Sequence, residues 1–270
     1  MVEPRKILID SKWIKTDEVV DVVNPYTGKK IAKVCLAGRK EMDAAIRSAK
    51  KAFETTRLLS TNKTARLLRN IVHGLIRNRE KLANIIVAEA GKPVDLAEHE
   101  VDRTIMTFSI AAEEAGRMGG ELIPVDIDAR AEGRYAITKR FPIGVVGCIS
   151  PFNFPLNLVA HKVAPAIAAR NTIVLKPATK TPLSALLLGE ILLEAGITPG
   201  QYNVVPCKRE VGEMLATDKR IAKMTFTGSP GVGWRLKEIS GRKKVTLELG
   251  GNAAAVVCAD ADLEWAVPRI

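Results

Sequence analysis

The sequence predicts an α/β fold in which a parallel sheet is covered by helices on both faces. The first observation is a regular alternation from Ile143 onward. The Val/Ile-rich runs IGVVGCIS, NTIVLKP, YNVVP, KMTFTG and KVTLEL, with AAAVVCA after a Gly-Gly pair, are separated by helical segments near 156–169, 182–195, 208–217 and 230–240. Strands buried on both faces read as continuous apolar runs, and each strand–helix–strand unit returns parallel to its start. The second is size: 270 residues at 47% hydrophobic content are enough to bury a sizeable core. The third is placement. Every residue with an evident chemical use falls at the carboxyl end of one of these strands, where open sheets of this kind bind ligands.

Ahead of that region, residues 7–35 read as short strands, ILID, KWI and VVDVVNPYTGKKIAKV, turning on Asn24-Pro25-Tyr26-Thr27-Gly28. Residues 39–118 switch to a helical period. Met42, Ala45, Ile46, Ala49 and Phe53 recur at three and four, as do Leu67, Leu68, Ile71, Leu75 and Ile76. Thr61 or Asn62 is expected to cap the second helix and Gly91-Lys92-Pro93 to stop it; a third is expected over Asp95 to Met118, ended by Gly119-Gly120. Residues 121–141 return to strand character around Ala131-Glu132-Gly133-Arg134. Such a charged, two-sided hairpin needs a partner sheet. The expected organisation is therefore N-terminal strands and helical scaffold over 1–120, an oligomerisation hairpin over 121–142 and the ligand-binding sheet over 143–270.

Composition excludes several functions. The formal charge of +11 is spread along amphipathic helices without a basic block, and aromatics are 4% of the chain, too few for base-stacking platforms, so no nucleic-acid partner is expected. No apolar run is long enough to cross a bilayer, and MVEPRKILIDSKW lacks the apolar core of a secretory signal; no membrane partner and a cytoplasmic location are expected. Cys35, Cys148, Cys207 and Cys258 form no CxxC pair, and His73, His99 and His161 add no cluster, so no metal site is expected. Cys148 and Cys258 lie in β-branched apolar runs and are expected in the core.

Four strand ends carry polar groups that chemistry can use. Ser150-Pro151-Phe152-Asn153-Phe154-Pro155 follows the first strand; two prolines and two aromatics fix its backbone, so the Asn153 amide could donate to a developing oxyanion or simply cap a turn. Lys176-Pro177-Ala178 follows the second, where an ammonium reaches nucleotide hydroxyls or phosphate, or only solvent. No GxGxxG follows the first strand. The glycines instead come late, in Thr227-Gly228-Ser229-Pro230-Gly231-Val232-Gly233, a strand-to-helix turn whose N–H groups can face a phosphate. Glu248 ends the last such strand, before a Gly-Gly turn that lets another molecule approach the backbone.

In this order, PFNFP, KPA, FTGS and LELGGN, together with NPYTGKKIAKV and NLVAHKVAPAIAARNTIVLKP, the chain resembles the aldehyde dehydrogenase superfamily over essentially its whole length. The resemblance implies a variant Rossmann domain and NADP- or NAD-dependent oxidation of an aldehyde to a carboxylic acid through a cysteine thiohemiacetal and thioester. Asn153 would then supply the oxyanion-hole amide and Glu248 the base that activates the thiol or the deacylating water. Lys162 would support this region. Lys176 would bind the adenosine ribose, and Phe226, Gly228, Ser229 and Val232 would line the cofactor groove. Ser150, Pro151, Phe152, Ala178, Thr179 and Gly212 would complete that groove, with Leu249 and Gly250 approaching the nicotinamide.

Two departures from the family pattern shape the expectations. NAD-preferring relatives often carry a Glu three residues after the strand-end lysine; here Thr179 and Lys180 stand there, which removes repulsion toward a 2′-phosphate and points to NADP. The family's cysteine nucleophile lies further along than the 22 residues that follow Glu248, so the chain is expected to be a truncated form, inactive alone and a homo-oligomer when full-length. LELGGN points to small aldehydes and semialdehydes such as lactaldehyde, glyceraldehyde or succinate semialdehyde. The alternative is a non-catalytic nucleotide-binding or assembly module pairing with a separate second half. A γ-glutamyl phosphate reductase type fits less well, because it does not need the Glu248 base.

Overall fold

In the computed structural model, which describes residues 3–270, the chain opens with two hairpins. β1 (Ile7–Ile9) and β2 (Lys12–Ile14) are joined by Asp10 and Ser11 at φ 53° and 60°, the two left-handed residues that such a tight turn demands. β3 (Val19–Val23) and β4 (Lys30–Cys35) flank the Asn24 turn, where the Asn24 Oδ1 accepts from the amides of Tyr26 and Thr27 and Gly28 sits at φ 68°. Four helices follow: α1 (Arg39–Thr56), α2 (Thr61–Arg77), α3 (Arg79–Ala90) and α4 (Val94–Arg117).

The expected second helix is thus two helices. Its cap is neither Thr61 nor Asn62 but Ser60, whose Oγ accepts from the Lys63 amide. The break falls at Asn78, whose side-chain amide joins its own backbone N–H on the Gly74 carbonyl and so closes the end of α2. Gly91, at φ 65°, ends α3 as expected of a left-handed C-terminal residue. Beyond α4, β5 (Leu122–Pro124) and β6 (Tyr135–Ile137) pair only with each other and are shorter than the sequence suggested. Leu122, Tyr135, Ile137 and Phe141 are each about 70% exposed, so the hairpin has apolar side chains that the described residues do not cover.

The alternating region follows the sequence closely: β7 (Val145–Ile149), α5 (Asn157–Ala168), β8 (Thr172–Lys176), α6 (Leu183–Glu194) and β9 (Tyr202–Val204). The expected 208–217 helix is two single turns, α7 (Arg209–Gly212) and α8 (Met214–Thr217). Then come β10 (Ile221–Thr227), α9 (Pro230–Ile239), β11 (Lys244–Glu248) and a last turn, α10 (Leu263–Ala266). The sheet runs β11-β10-β7-β8-β9-β1-β2, parallel through β9, with the N-terminal hairpin added antiparallel. The β1–β2 hairpin therefore completes the sheet that the later strands begin, a long-range pairing that period-two patterning does not reveal.

Helices cover both faces. α2 to α6 pack on one side over Leu68, Ile71, Phe108, Val163 and Leu187; α1, α8 and α9 pack on the other over Met42, Ile46, Leu215 and Leu236. α5 and α6 are buried on nearly every side because α2 and α4 lie over them, which is why their sequences are apolar all round.

One expected strand is missing. AAAVVCA, after the Gly-Gly pair, forms no strand and Val256 is 86% exposed. A β-branched run forms a buried strand only where a neighbour pairs with it and a helix covers it, and the described residues supply neither. Cys258 in that run is accordingly exposed, contrary to the expected core position, whereas Cys148 is fully buried and burial pushes its thiol up to about 12. No helix among the described residues is long and apolar enough to cross a membrane.

Candidate active site

The carboxyl ends of β8, β7, β10 and β11 lie side by side, in register from Lys176 opposite Ile149, through Ile149 opposite Phe226, to Thr227 opposite Glu248. This rim collects the residues that sequence reasoning singled out. Lys176, Thr179, Gly212, Phe226 and Val232 line one crevice of about 190 Å³. Glu248 and Leu249 line a second cleft of about 620 Å³, with His161, Lys162 and Thr227. Asn153 lines neither; it is exposed on the loop beyond β7, on the same rim. Phe152 faces a different hollow, shared with Thr179 and Lys180 rather than with Phe226. Ser150, Pro151, Ala178, Gly228, Ser229 and Gly250 frame the rim without lining either cleft. The Gly228 amide donates to the Glu248 carbonyl at 3.0 Å and ties the glycine-rich turn to β11.

The crevice is shaped by missing side chains. A Cβ on Gly212 would meet the Lys176 Cδ at 2.7 Å, and one on Gly228 would meet the Phe226 ring at 2.5 Å. Nothing lies within 4 Å of a Cβ on Gly231, so the start of α9 is open space. Burial lowers the pKa of the Lys176 ammonium, and among the described residues its Nζ is satisfied only by its neighbour Pro177's carbonyl at 3.2 Å. An anionic or hydroxyl-bearing ligand beside it would restore the lost solvation. Arg209, missed from the sequence because it lies between strands, also lines the crevice; Glu213 pairs with both Arg209 and Arg235 there.

Where such a ligand's phosphates can go is decided by the three helix starts along the rim. Glu100, fully buried on α4, accepts from the Leu156 and Asn157 amides at 2.9 and 3.1 Å and fills the start of α5. Glu89, buried at the end of α3, accepts from the Leu183 and Ser184 amides at 2.6 and 3.0 Å and fills the start of α6. Only α9 begins without a side-chain cap, at Ser229. A phosphate is attracted to free N–H groups and to the positive helix end, so the late glycine turn is where the rim can hold one. The residues present therefore suit a dinucleotide running from Lys176 past α9 toward Glu248.

The second cleft is electrically graded. Lys162, 7% exposed, donates to the Thr227 Oγ1 at 2.6 Å; burial lowers its pKa, and Cys148 and Glu248 oppose that shift. Burial, with Arg103 and Lys162 beside it, holds the His161 imidazole below its ordinary range and hence neutral at pH 7. Two carboxylates line the cleft: Glu114 pairs with Arg117, whereas Glu248, at the end of β11, acts on the buried Lys162 ammonium. No thiol lines either cleft: Cys35, Cys148 and Cys207 are buried, burial pushing Cys207 up to about 11, and Cys258 is exposed in the run after the Gly-Gly pair.

Glu89 also gives the fold a pH response. Burial raises its carboxyl from 4.5 to about 7. Because the folded value lies above the unfolded one, its contribution is fully present below pH 4.5 and is lost as pH rises through about 7. At about 1.4 kcal/mol per pH unit, the loss approaches about 3 kcal/mol. Urea midpoints measured from pH 5 to 8 should fall more steeply with pH in the parent than in Glu89→Gln; parallel curves would exclude this assignment.

Comparison with known proteins supplies the family. The family model described as "Aldehyde dehydrogenase family" matches residues 13–270. The 3-sulfolactaldehyde dehydrogenase of Priestia aryabhattai is 40% identical over 265 residues, covering 98% of this chain and 55% of the relative. Aldehyde dehydrogenase 21 of Physcomitrella patens, solved with succinate, superposes with a TM-score of 0.89 at 47% identity, covering 93% of this chain and 53% of that one. The NADP-dependent glyceraldehyde-3-phosphate dehydrogenase of Bacillus halodurans, solved with NADP, gives 0.90 at 33% identity, covering 99% and 57%. The chain spans about half the length of the relatives it matches. With the rim geometry and the match over nearly all its residues, the chain belongs to the aldehyde dehydrogenase family.

Proposed function

We propose that this chain is the cofactor-binding part of an NADP-preferring aldehyde dehydrogenase acting on a small aldehyde or semialdehyde. The observation that carries the reading is the crevice beside Lys176, closed by no carboxylate at Thr179 and open toward the uncapped start of α9. Lys176 would hold the ribose hydroxyls. Thr179 and Arg209 would leave room and positive potential for a 2′-phosphate; Lys180, expected from the sequence to add to it, instead lies over the Phe152 ring in the neighbouring hollow. Bound there, the cofactor would supply the hydride acceptor of the oxidation. Asn153 would donate its amide to the substrate oxygen as charge develops, and Glu248 would take the proton of the attacking water. The 270-residue chain itself contributes these groups without an activated thiol, so it would bind cofactor and not oxidise aldehyde. Calorimetry on the purified chain is the test: NADP should bind at least about tenfold more tightly than NAD. Equal affinities, or tighter NAD, would remove the preference.

Assembly follows from the hairpin. β5 and β6 are two three-residue strands with apolar side chains exposed, an arrangement that two-stranded ribbons do not sustain alone in water. We assign it to contact between copies. Size-exclusion chromatography of the chain should show self-association that Leu122→Lys/Ile137→Lys weakens. A clean monomer with slow hydrogen exchange in the hairpin would count against it. A second reading, an assembly module working with a separately encoded second half, is favoured by the uncovered β11 edge and the exposed 253–258 run. The reading frame following the Ile270 codon distinguishes the two.

A further inference from the structure

The loop that presents Asn153 is pinned from beneath by a buried charge pair that neither cleft uses. The carboxylate of Glu100 is fully buried and divides its two oxygens between two tasks. Its Oε1 accepts from the Leu156 and Asn157 amides, and its Oε2 accepts from the Lys92 Nζ at 2.6 Å. Lys92 comes from the Gly91-Lys92-Pro93 turn between α3 and α4, and its Nζ stands 3.7 Å from the centroid of the Phe154 ring. Phe154 is the residue next to Asn153. Upstream, the Ser150 amide donates to the Lys176 carbonyl at 3.2 Å. The loop is thus held at both ends, and between them Asn153 is exposed.

A buried pair of this kind need not stabilise the fold more than apolar residues of the same volume would. What it supplies here is direction. An ammonium over a ring face and a carboxylate on two successive amides fix the loop at the residues one, three and four positions after Asn153. A one-ångström shift of a donor aimed at an oxyanion forfeits most of its effect. We infer that Lys92 and Glu100 are positioning residues for the Asn153 carboxamide, acting through Phe154 and the start of α5. The inference rests on the reading of Asn153 as the oxyanion donor, and it extends that reading to two residues that touch no substrate.

The division of oxygens makes the role separable from support of the fold. Glu100→Gln can keep Oε1 on the two amides while turning an NH₂ toward the Lys92 ammonium, so it breaks only the link to Lys92. Lys92→Met keeps the stem and removes the charge, and Lys92→Arg keeps a cation that can both pair with the carboxylate and lie on the ring. The chain is labelled with ¹⁵N-asparagine, and the Asn153 side-chain amide pair is identified by its loss in Asn153→Asp. The parent should show one sharp pair. Glu100→Gln and Lys92→Met should each split or broaden it, Lys92→Met should speed exchange of the Leu156 and Asn157 amides by about tenfold, and Lys92→Arg should restore the parent pattern. NADP affinity should stay within about twofold in all variants, since Lys92 and Glu100 line no part of the Lys176 crevice. Lowered melting temperatures with an unmoved Asn153 pair in both Glu100→Gln and Lys92→Met would overturn the inference. So would a parallel collapse of NADP binding, which would mean general loss of the rim. Failure of the parent chain to bind NADP would instead strike the proposed function and leave the Asn153 readout standing.

Discussion

Lys176→Met should weaken NADP binding by about 10- to 100-fold, the range expected when a charge-assisted hydrogen bond worth about 1.5–3 kcal/mol is deleted. The methionine keeps the stem that passes Gly212, so the crevice should hold its shape. In the present structure the ammonium, its pKa lowered by burial, has only its neighbour's carbonyl for a partner. Deleting it should therefore leave stability nearly unchanged. The pattern across cofactors is informative. Loss of ribose contacts alone lowers NADP and NAD affinity together, whereas contact with a 2′-phosphate makes the NADP loss larger. Titration calorimetry reads both, and an unaltered affinity for each would move the cofactor elsewhere on the rim.

Glu100→Ala should be the most destabilising single change in the molecule's interior, at about 3–5 kcal/mol. It strands the Lys92 ammonium, 12% exposed, without its partner, and it orphans two amides at the start of α5. For a chain of this size that corresponds to a fall in melting temperature of about 10 °C. Ala97→Gly, one turn earlier on the same buried face of α4, should cost only about 1 kcal/mol and serves as the comparison. Similar losses in both variants would show that Glu100 is no more than another core position.

The strand–helix alternation was legible because both faces of β7 and β8 are covered, which leaves runs such as VVGCI and TIVLK unmistakably apolar. Lys176 and Glu248 were legible because each ends a strand, and Phe226 because it stands one residue before the end of another. Other features depend on distance in sequence. β1 pairs with β9 across nearly two hundred residues, and no local pattern encodes that neighbour. The AAAVVCA run misled because local β-preference describes what a strand would accept and not whether a partner is present. Glu89 and Glu100 did leave a trace: each sits in the buried phase of its helix, Glu89 after Ile86 and Glu100 after Ala97. An acidic residue in an apolar stripe signals a buried acceptor obligation, but its partners, the first amides of α6 and α5, lie more than fifty residues away. Arg209 gave no signal, since a basic residue at the start of a short connecting helix reads as solvated until the fold brings it into the crevice of Lys176.

The two occupied helix starts have a consequence for recognising such sites. A sheet that seals its first two crossovers with its own carboxylates has surrendered the place where a glycine fingerprint is ordinarily sought. Here the internal acids on α3 and α4 leave the start of α9 as the one of the three helix starts whose amides an incoming anion would find uncommitted.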